Sequence, residues 1–170
     1  CFVNTQIAFG DTARYLRMSG ITVKDRNKLM WDGAVYFFPG VQDIIFENNE
    51  IYNITCDTYT NEQGELSYYG CNPLVLYGDM TYPTEDGGPF MRPISNVIIR
   101  NNYIHDCVTG WSEALTLEGN VENCQVIENT VENTGNIGID LAGNFPWTGV
   151  VGDPMNQPRD CYVARNLVKK

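Results

Sequence analysis

Ile44-Ile45-Phe46-Glu47-Asn48-Asn49-Glu50-Ile51 is one copy of a phrase that the chain repeats three more times. The other copies are Val97-Ile98-Ile99-Arg100-Asn101-Asn102-Tyr103-Ile104, Cys124-Gln125-Val126-Ile127-Glu128-Asn129-Thr130-Val131 and Cys161-Tyr162-Val163-Ala164-Arg165-Asn166-Leu167-Val168. In each, the first, third, sixth and eighth positions share one side if two short extended segments meet at a sharp bend. The sixth position is always Asn. Coils stacked in parallel bring Asn49, Asn102, Asn129 and Asn166 into one column, and an Asn side chain can bond neighbouring backbone in a tight turn at low cost.

An earlier copy is readable at Leu16, Met18, Ile21 and Val23, with Ile21 in the Asn slot. The starts at 16, 44, 97, 124 and 161 lie 28, 53, 27 and 37 residues apart, so the basic coil is about 27 residues, with excess in two places. A second strand follows each phrase at Val35–Phe38, Leu74–Asp79, Leu115–Asn120 and Ile139–Asn144. The expected fold is therefore all-β: a right-handed parallel β-helix of about five coils, one domain over 1–170, with no helix. Its long loops are 57–72, 80–93 and 145–160, and such insertions in a solenoid stand on one face and can shape a binding surface. The chain starts within coil material and stops two residues after the last phrase, so it reads as a piece of a longer helix whose uncapped ends can stack on further coils or copies.

Composition narrows the function. No apolar run is long enough to span a membrane, and the N-terminus lacks the pattern of a signal peptide. Six cysteines in 170 residues, and the sequon Asn53-Ile54-Thr55, favour a secreted protein. Cys124 and Cys161 share a slot in neighbouring coils, which permits a disulfide but suits packed thiols better. Cys56 and Cys71 flank the first loop and could close it, whereas Cys1 and Cys107 have no evident partner. The formal charge of −10 makes nucleic acid a poor partner and repels polyanionic glycans unless calcium bridges them. One histidine and no CxxC pair give no zinc site, no EF-hand loop is present, and any calcium would have to be held across coils.

The stacked Asn-Asn-x-Ile and Arg-Asn-x-Val phrases resemble the β-helix repeats of the pectate-lyase-like superfamily over about residues 16–168. The segments Gly110–Val121, Asn136–Asp140 and Pro158–Asp160 look like parts of secreted bacterial β-helix proteins that act on polysaccharide. The resemblance implies extracellular work on a polysaccharide or glycan. It names a substrate class more than a reaction.

On the second strands, Leu115, Leu117, Ile139 and Leu141 should face inward, which sends Thr116, Glu118 and Asp140 outward on adjacent coils. Glu118 and Asp140 are then one coil and two residues apart, with Cα atoms roughly 8 Å from each other. Their carboxyls can reach the separations of about 5 to 9.5 Å that glycosidases use. Glu113, at the corner in the slot of Ile137, is a candidate half-buried acid. Asp140 is the leading catalytic candidate, with Glu113 or Glu118 as its partner; a corner hydrogen bond for Glu113 and solvated strand positions for the other two are the structural alternatives. Tyr77, Asp79, Trp111 and Trp147 are the candidate substrate contacts, because sugar rings stack on aromatic faces. No residue is assigned to a metal.

The leading expectation is a glycoside hydrolase acting through paired carboxylates. One alternative is a noncatalytic structural or adhesive module. The other is a calcium-dependent polysaccharide lyase, which the scarcity of bases on this face disfavours. His105 reads as a surface residue.

Overall fold

The computed structural model describes residues 2–81 and 92–170, and among them there is no helix. The chain winds as a parallel β-helix with three sheets. The first holds Arg14–Ser19, Gln42–Glu47, Ile98–Arg100, Gln125–Ile127 and Tyr162–Ala164 in parallel register, with the short Ile94–Ser95 and Val121–Glu122 beside them. After the Asn bend, Thr22–Leu29, Glu50–Cys56, Tyr103–Cys107, Thr130–Thr134 and Leu167–Lys169 form the second sheet, which Phe2–Val3 extends by one rung. The third sheet holds Ile7–Phe9, Asp32–Phe37, Cys71–Gly78, Glu113–Gly119 and Ile137–Ala142.

The phrase register is as the sequence implies. Ile98 pairs with Ile45 and with Gln125, while Ile104 pairs with Ile51 and with Val131. Ile44, Phe46 and Ile51 are fully buried, as are Ile99, Ile104, Val126 and Val131 in later coils. Removing such a side chain from water is worth about 1.5–3 kcal/mol each. Phe9, Phe37 and Phe46 close the first coils: Phe9 stacks on Phe37 at 4.4 Å between ring centres, and Phe46 meets both edge-on.

The bend is held by the asparagine column. The Asn102 Oδ1 accepts the backbone N–H of Asn49 at 3.0 Å, and its Nδ2 donates to the carbonyl of Phe46 at 3.1 Å. Asn129 does the same for the N–H of Asn102 and the carbonyl of Ile99, and Asn166 for Asn129 and Val126. Ile21 occupies the first slot, and its N–H donates to Asn49. The residue before each column member is left-handed: Gly20, Asn48, Asn101, Glu128 and Arg165 have φ between 52° and 71°. Two further stacks of left-handed residues, Asp43, Asn96, Asn123 and Asp160, and Asp25, Asn53, Asp106 and Asn133, mark other turns. Asn and Asp tolerate this conformation best, whereas Glu128 and Arg165 adopt it at a cost of about 1 kcal/mol.

The loops are more ordered than their composition implies. Within 57–72, Thr58–Thr60 and Leu66–Tyr68 form an antiparallel hairpin, and Cys71 and Asn72 already belong to the third sheet. The fully buried Asn156 staples 145–160 by donating to the carbonyls of Phe145 and Val150 and accepting from the Thr148 hydroxyl. Of the loop 80–93, residues 82–91 lie outside the described residues, as does Cys1.

One expectation needs correction. Cys56, Cys71, Cys107, Cys124 and Cys161 are all free thiols, so no disulfide closes the first loop. The Cys56 and Cys71 thiols are neighbours, as are those of Cys124 and Cys161, where packed thiols were expected, and Cys71, Cys124 and Cys161 donate to the carbonyls of Val108, Glu122 and Arg159. His105 projects outward beside Asp106 as expected, and its ring is half-covered by neighbours. Its ring lies between Tyr103 and Tyr52, at 4.0 and 5.1 Å, with Asp106 and Glu50 at its two nitrogens. Tyr103, two residues earlier on the same strand, and Tyr52, its partner on the neighbouring rung, clamp it, and the second contact is one that the local sequence around 105 does not carry.

Candidate functional site

The third sheet carries a cleft of about 590 Å³ on its outer face. Its floor follows from a slip in strand alternation. Ala114 and Leu115 are consecutive and both enter the core, as do Ala34 and Val35, so the corner residues before them turn outward again. Glu113 therefore shares the outer side with Thr116 and Glu118, although simple alternation from Leu115 would point it inward. Glu113 pairs with Ile137, Thr116 with Asp140 and with Val75, and Glu118 with Ala142 and with Tyr77.

Both glutamates line the cleft and are partly buried. Burial raises the Glu118 carboxyl above the ordinary range, against the hydrogen bond that Trp147 Nε1 donates to its Oε1 at 2.8 Å. Glu113, then Asp140 and then Asp79, push it further in the same direction. Glu113 is likewise raised by burial and by Asp140, while Asn72, whose Nδ2 lies 3.4 Å from Oε2, opposes the shift. Two carboxyls that hold protons more tightly than usual thus face one hollow. The tyrosines report the same field: Tyr77 is pushed up to about 12 by burial and by Asp79 and Glu118, and Tyr36 is pushed well above its ordinary value for similar reasons.

Aromatic rings wall both ends. Trp147 stacks on Phe145 at 4.5 Å and stays 54% exposed. At the strand starts stand Trp31 and Trp111, 66% and 60% exposed, on either side of Gly70. Trp31 N donates to the carbonyl of Gly70, whose neighbour Cys71 pairs with Asp32, so Gly70 fills the Trp position in the coil between the two indoles. A Cβ there would meet Trp31 at 2.7 Å and the Ser112 hydroxyl at 2.3 Å, so glycine keeps the interval open.

Of the residues expected from sequence, Glu113, Glu118, Tyr77, Trp111 and Trp147 converge on the cleft. Asp140 faces the same side from the edge strand, two residues before the cleft residue Ala142, and acts on both glutamates through its charge. Asp79 is buried and occupied by a turn, accepting the N–H and hydroxyl of Thr81 at 2.7 and 2.6 Å. Arg159, on a loop adjoining this face, is committed to Glu122, Asn120 and the carbonyl of Met155. Trp31, Asp32 and Asn72 also line the cleft, and sequence reasoning missed them. A signal was available: Trp31-Asp32-Gly33-Ala34-Val35 and Trp111-Ser112-Glu113-Ala114-Leu115 are the same corner two coils apart. Among the described residues, no three His, Cys, Asp or Glu side chains converge as a metal-ligand set.

Residues 4–151 match the family described as a right handed beta helix region. The chain belongs to that family. No curated protein and no solved structure matches it. Right-handed β-helices host several chemistries, so membership fixes the scaffold and leaves the reaction to the cleft.

Proposed function

We propose that this protein is an extracellular glycoside hydrolase that cleaves a polysaccharide lying in the cleft of the third sheet. The observation that carries the reading is the pair of partly buried glutamates, both raised by burial, at the floor of an aromatic-walled hollow. Glu118 is the proton donor, since burial and three neighbouring acids keep its proton on at higher pH than an ordinary carboxyl. Glu113 is its partner. Five residues along one strand separate their Cα atoms by about 16 Å, and side chains leaning toward each other approach the spacing of about 6.5–9.5 Å of inverting enzymes.

In that arrangement Glu118 protonates the glycosidic oxygen as the bond to the anomeric carbon breaks. Glu113 takes a proton from the water that attacks that carbon from the opposite face. Trp147, through its bond to Oε1, fixes the donor's orientation while offering its ring to a sugar. Relative to the sequence-based expectation, the weight moves from Asp140 to the two glutamates that line the cleft.

The test is a screen of polysaccharides that follows both new reducing ends and the absorbance of unsaturated products. Reducing ends without unsaturation, lost in Glu118→Gln, are the expected result. Full activity in Glu118→Gln overturns the assignment. Chelator-sensitive unsaturated products would replace it with a lyase, and silence on every polymer would replace it with a binding module.

A further inference from the structure

Hydrolysis needs two carboxyls, and this cleft has a third, Asp32, in its lining and a fourth, Asp140, beside it on the same face. Besides Glu113 and Glu118, Asp140 presents a carboxylate on the same outer side, one strand from Thr116. Asp32 lines the opposite end, where Arg26 partners it at 3.4 Å and also donates to the carbonyl of Gly33. No such cation serves the others: no Lys, Arg or His stands among the cleft-lining residues. Asp140 has neither a hydrogen bond nor an ion pair among the described residues.

The strand that carries the two glutamates also holds one unsatisfied polar atom. Thr116 lies between the core residues Leu115 and Leu117, so it points out of the core on the carboxylate side. It is fully buried, and among the described residues its Oγ1 has no hydrogen-bond partner. A buried hydroxyl without a partner is costly, so this hydroxyl is a group that a bound ligand can draw into order.

Unbalanced negative charge in a half-buried hollow favours a positive ligand, and the aromatic walls narrow the kind. Indole faces accept both the C–H face of a pyranose and an ammonium group. A bare metal ion would need converging ligands, and no such set exists among the described residues. A uronic-acid polymer would meet repulsion throughout the cleft, and a neutral glucan would leave Asp140 acting only through its charge on the two glutamates.

We propose that the cleft selects a polysaccharide of amino sugars with free 2-ammonium groups, Asp140 pairing with an ammonium beside the bond that Glu113 and Glu118 flank. The inference rests on the hydrolase reading for the roles of the glutamates, but its recognition step is separate and can be read without catalysis. Arg26 marks the limit of the cationic subsite, because it already neutralises Asp32 at the Trp31 end.

Calorimetry with a glucosamine tetrasaccharide, its fully N-acetylated form and a galacturonate tetrasaccharide tests it. The amine form should bind about tenfold more tightly than the acetylated form, as one charge-assisted hydrogen bond provides, and the advantage should shrink as salt rises. Asp140→Asn should erase most of that ratio and Asp140→Glu should keep it. Equal or tighter binding of the acetylated or galacturonate ligand overturns the inference, as does an unchanged ratio in Asp140→Asn. Cleavage of neutral polymers without amine preference would leave the hydrolase standing and sink this proposal. Amine preference without any cleavage would do the reverse.

Discussion

The asparagine bend and the cleft floor sit on the same coils and treat polar groups in opposite ways. In the bend, each interior Asn is nearly fully buried, accepts a backbone N–H from the preceding coil and donates to a carbonyl there. Glu47, beside it, is held between Arg17 and Arg100. On the cleft strand, Thr116 has no partner among the described residues, and Glu113 and Glu118, with Asp140 beside them, lie near one another with no cation among the described lining residues. Repetition can satisfy a polar group with the next copy of itself. Departing from the repeat leaves groups whose partners lie outside the chain, and such local violations are where function concentrates.

The largest effect expected is on activity at the floor. Glu118→Gln should lower the hydrolytic rate by about two to four orders of magnitude, the usual contribution of general acid catalysis, with the far-ultraviolet spectrum unchanged. Next comes the bend. Asn102→Ala orphans the N–H of Asn49 and the carbonyl of Phe46, and should cost about 3 kcal/mol in chemical denaturation. If the loss were only that of an exposed residue, the bend would not be the element that holds the coils in register.

Titration separates the two regions by sign. Arg100, with Arg17, holds Glu47 below the ordinary carboxylate range, so its contribution to stability is present at neutral pH and lost as pH falls through that lowered value. Burial holds Glu118 above the range, so its contribution is complete in acid and lost as pH rises through the raised value. Melting temperatures across this window should show Glu47→Gln destabilising most at neutral pH and least in acid. Glu118→Gln should be neutral in acid and stabilising, on the order of 1 kcal/mol, above the raised value. Parallel curves for the two variants would contradict the contrast.

Sequence periodicity carried the bend almost entirely, because one residue type recurs in one slot and its partner is the next copy. It carried the cleft less well. Glu118, Trp111 and Trp147 were legible as outward acids and loop aromatics, but alternation alone cannot say that Ala114 and Leu115 are both buried and that Glu113 turns out with Thr116. The contact of His105 with Tyr52 and the stapling of a loop by Asn156 are likewise contacts between coils or across a turn, invisible in any single phrase. The stacked slots of Cys124 and Cys161 hold packed thiols as their spacing implied, whereas the closure of the first loop by Cys56 and Cys71 was read from their flanking positions alone and is absent.

The smallest effect concerns Thr116 alone and bears most directly on why the floor differs from the bend. Valine has the same branched shape and suits a strand, so Thr116→Val removes the unpaired Oγ1 with little change in packing. If the hydroxyl has no partner in the free protein, its loss should raise stability by about 1 kcal/mol, because the desolvation cost goes and no bond is forfeited. If it is ordered only when ligand rearranges the carboxylates, the same variant should bind oligosaccharide more weakly than the parent. Gain in melting temperature with loss of affinity is the expected pairing. A valine variant that is destabilised would mean that the hydroxyl is already satisfied in the free protein, and the floor would then obey the same rule as the asparagine bend.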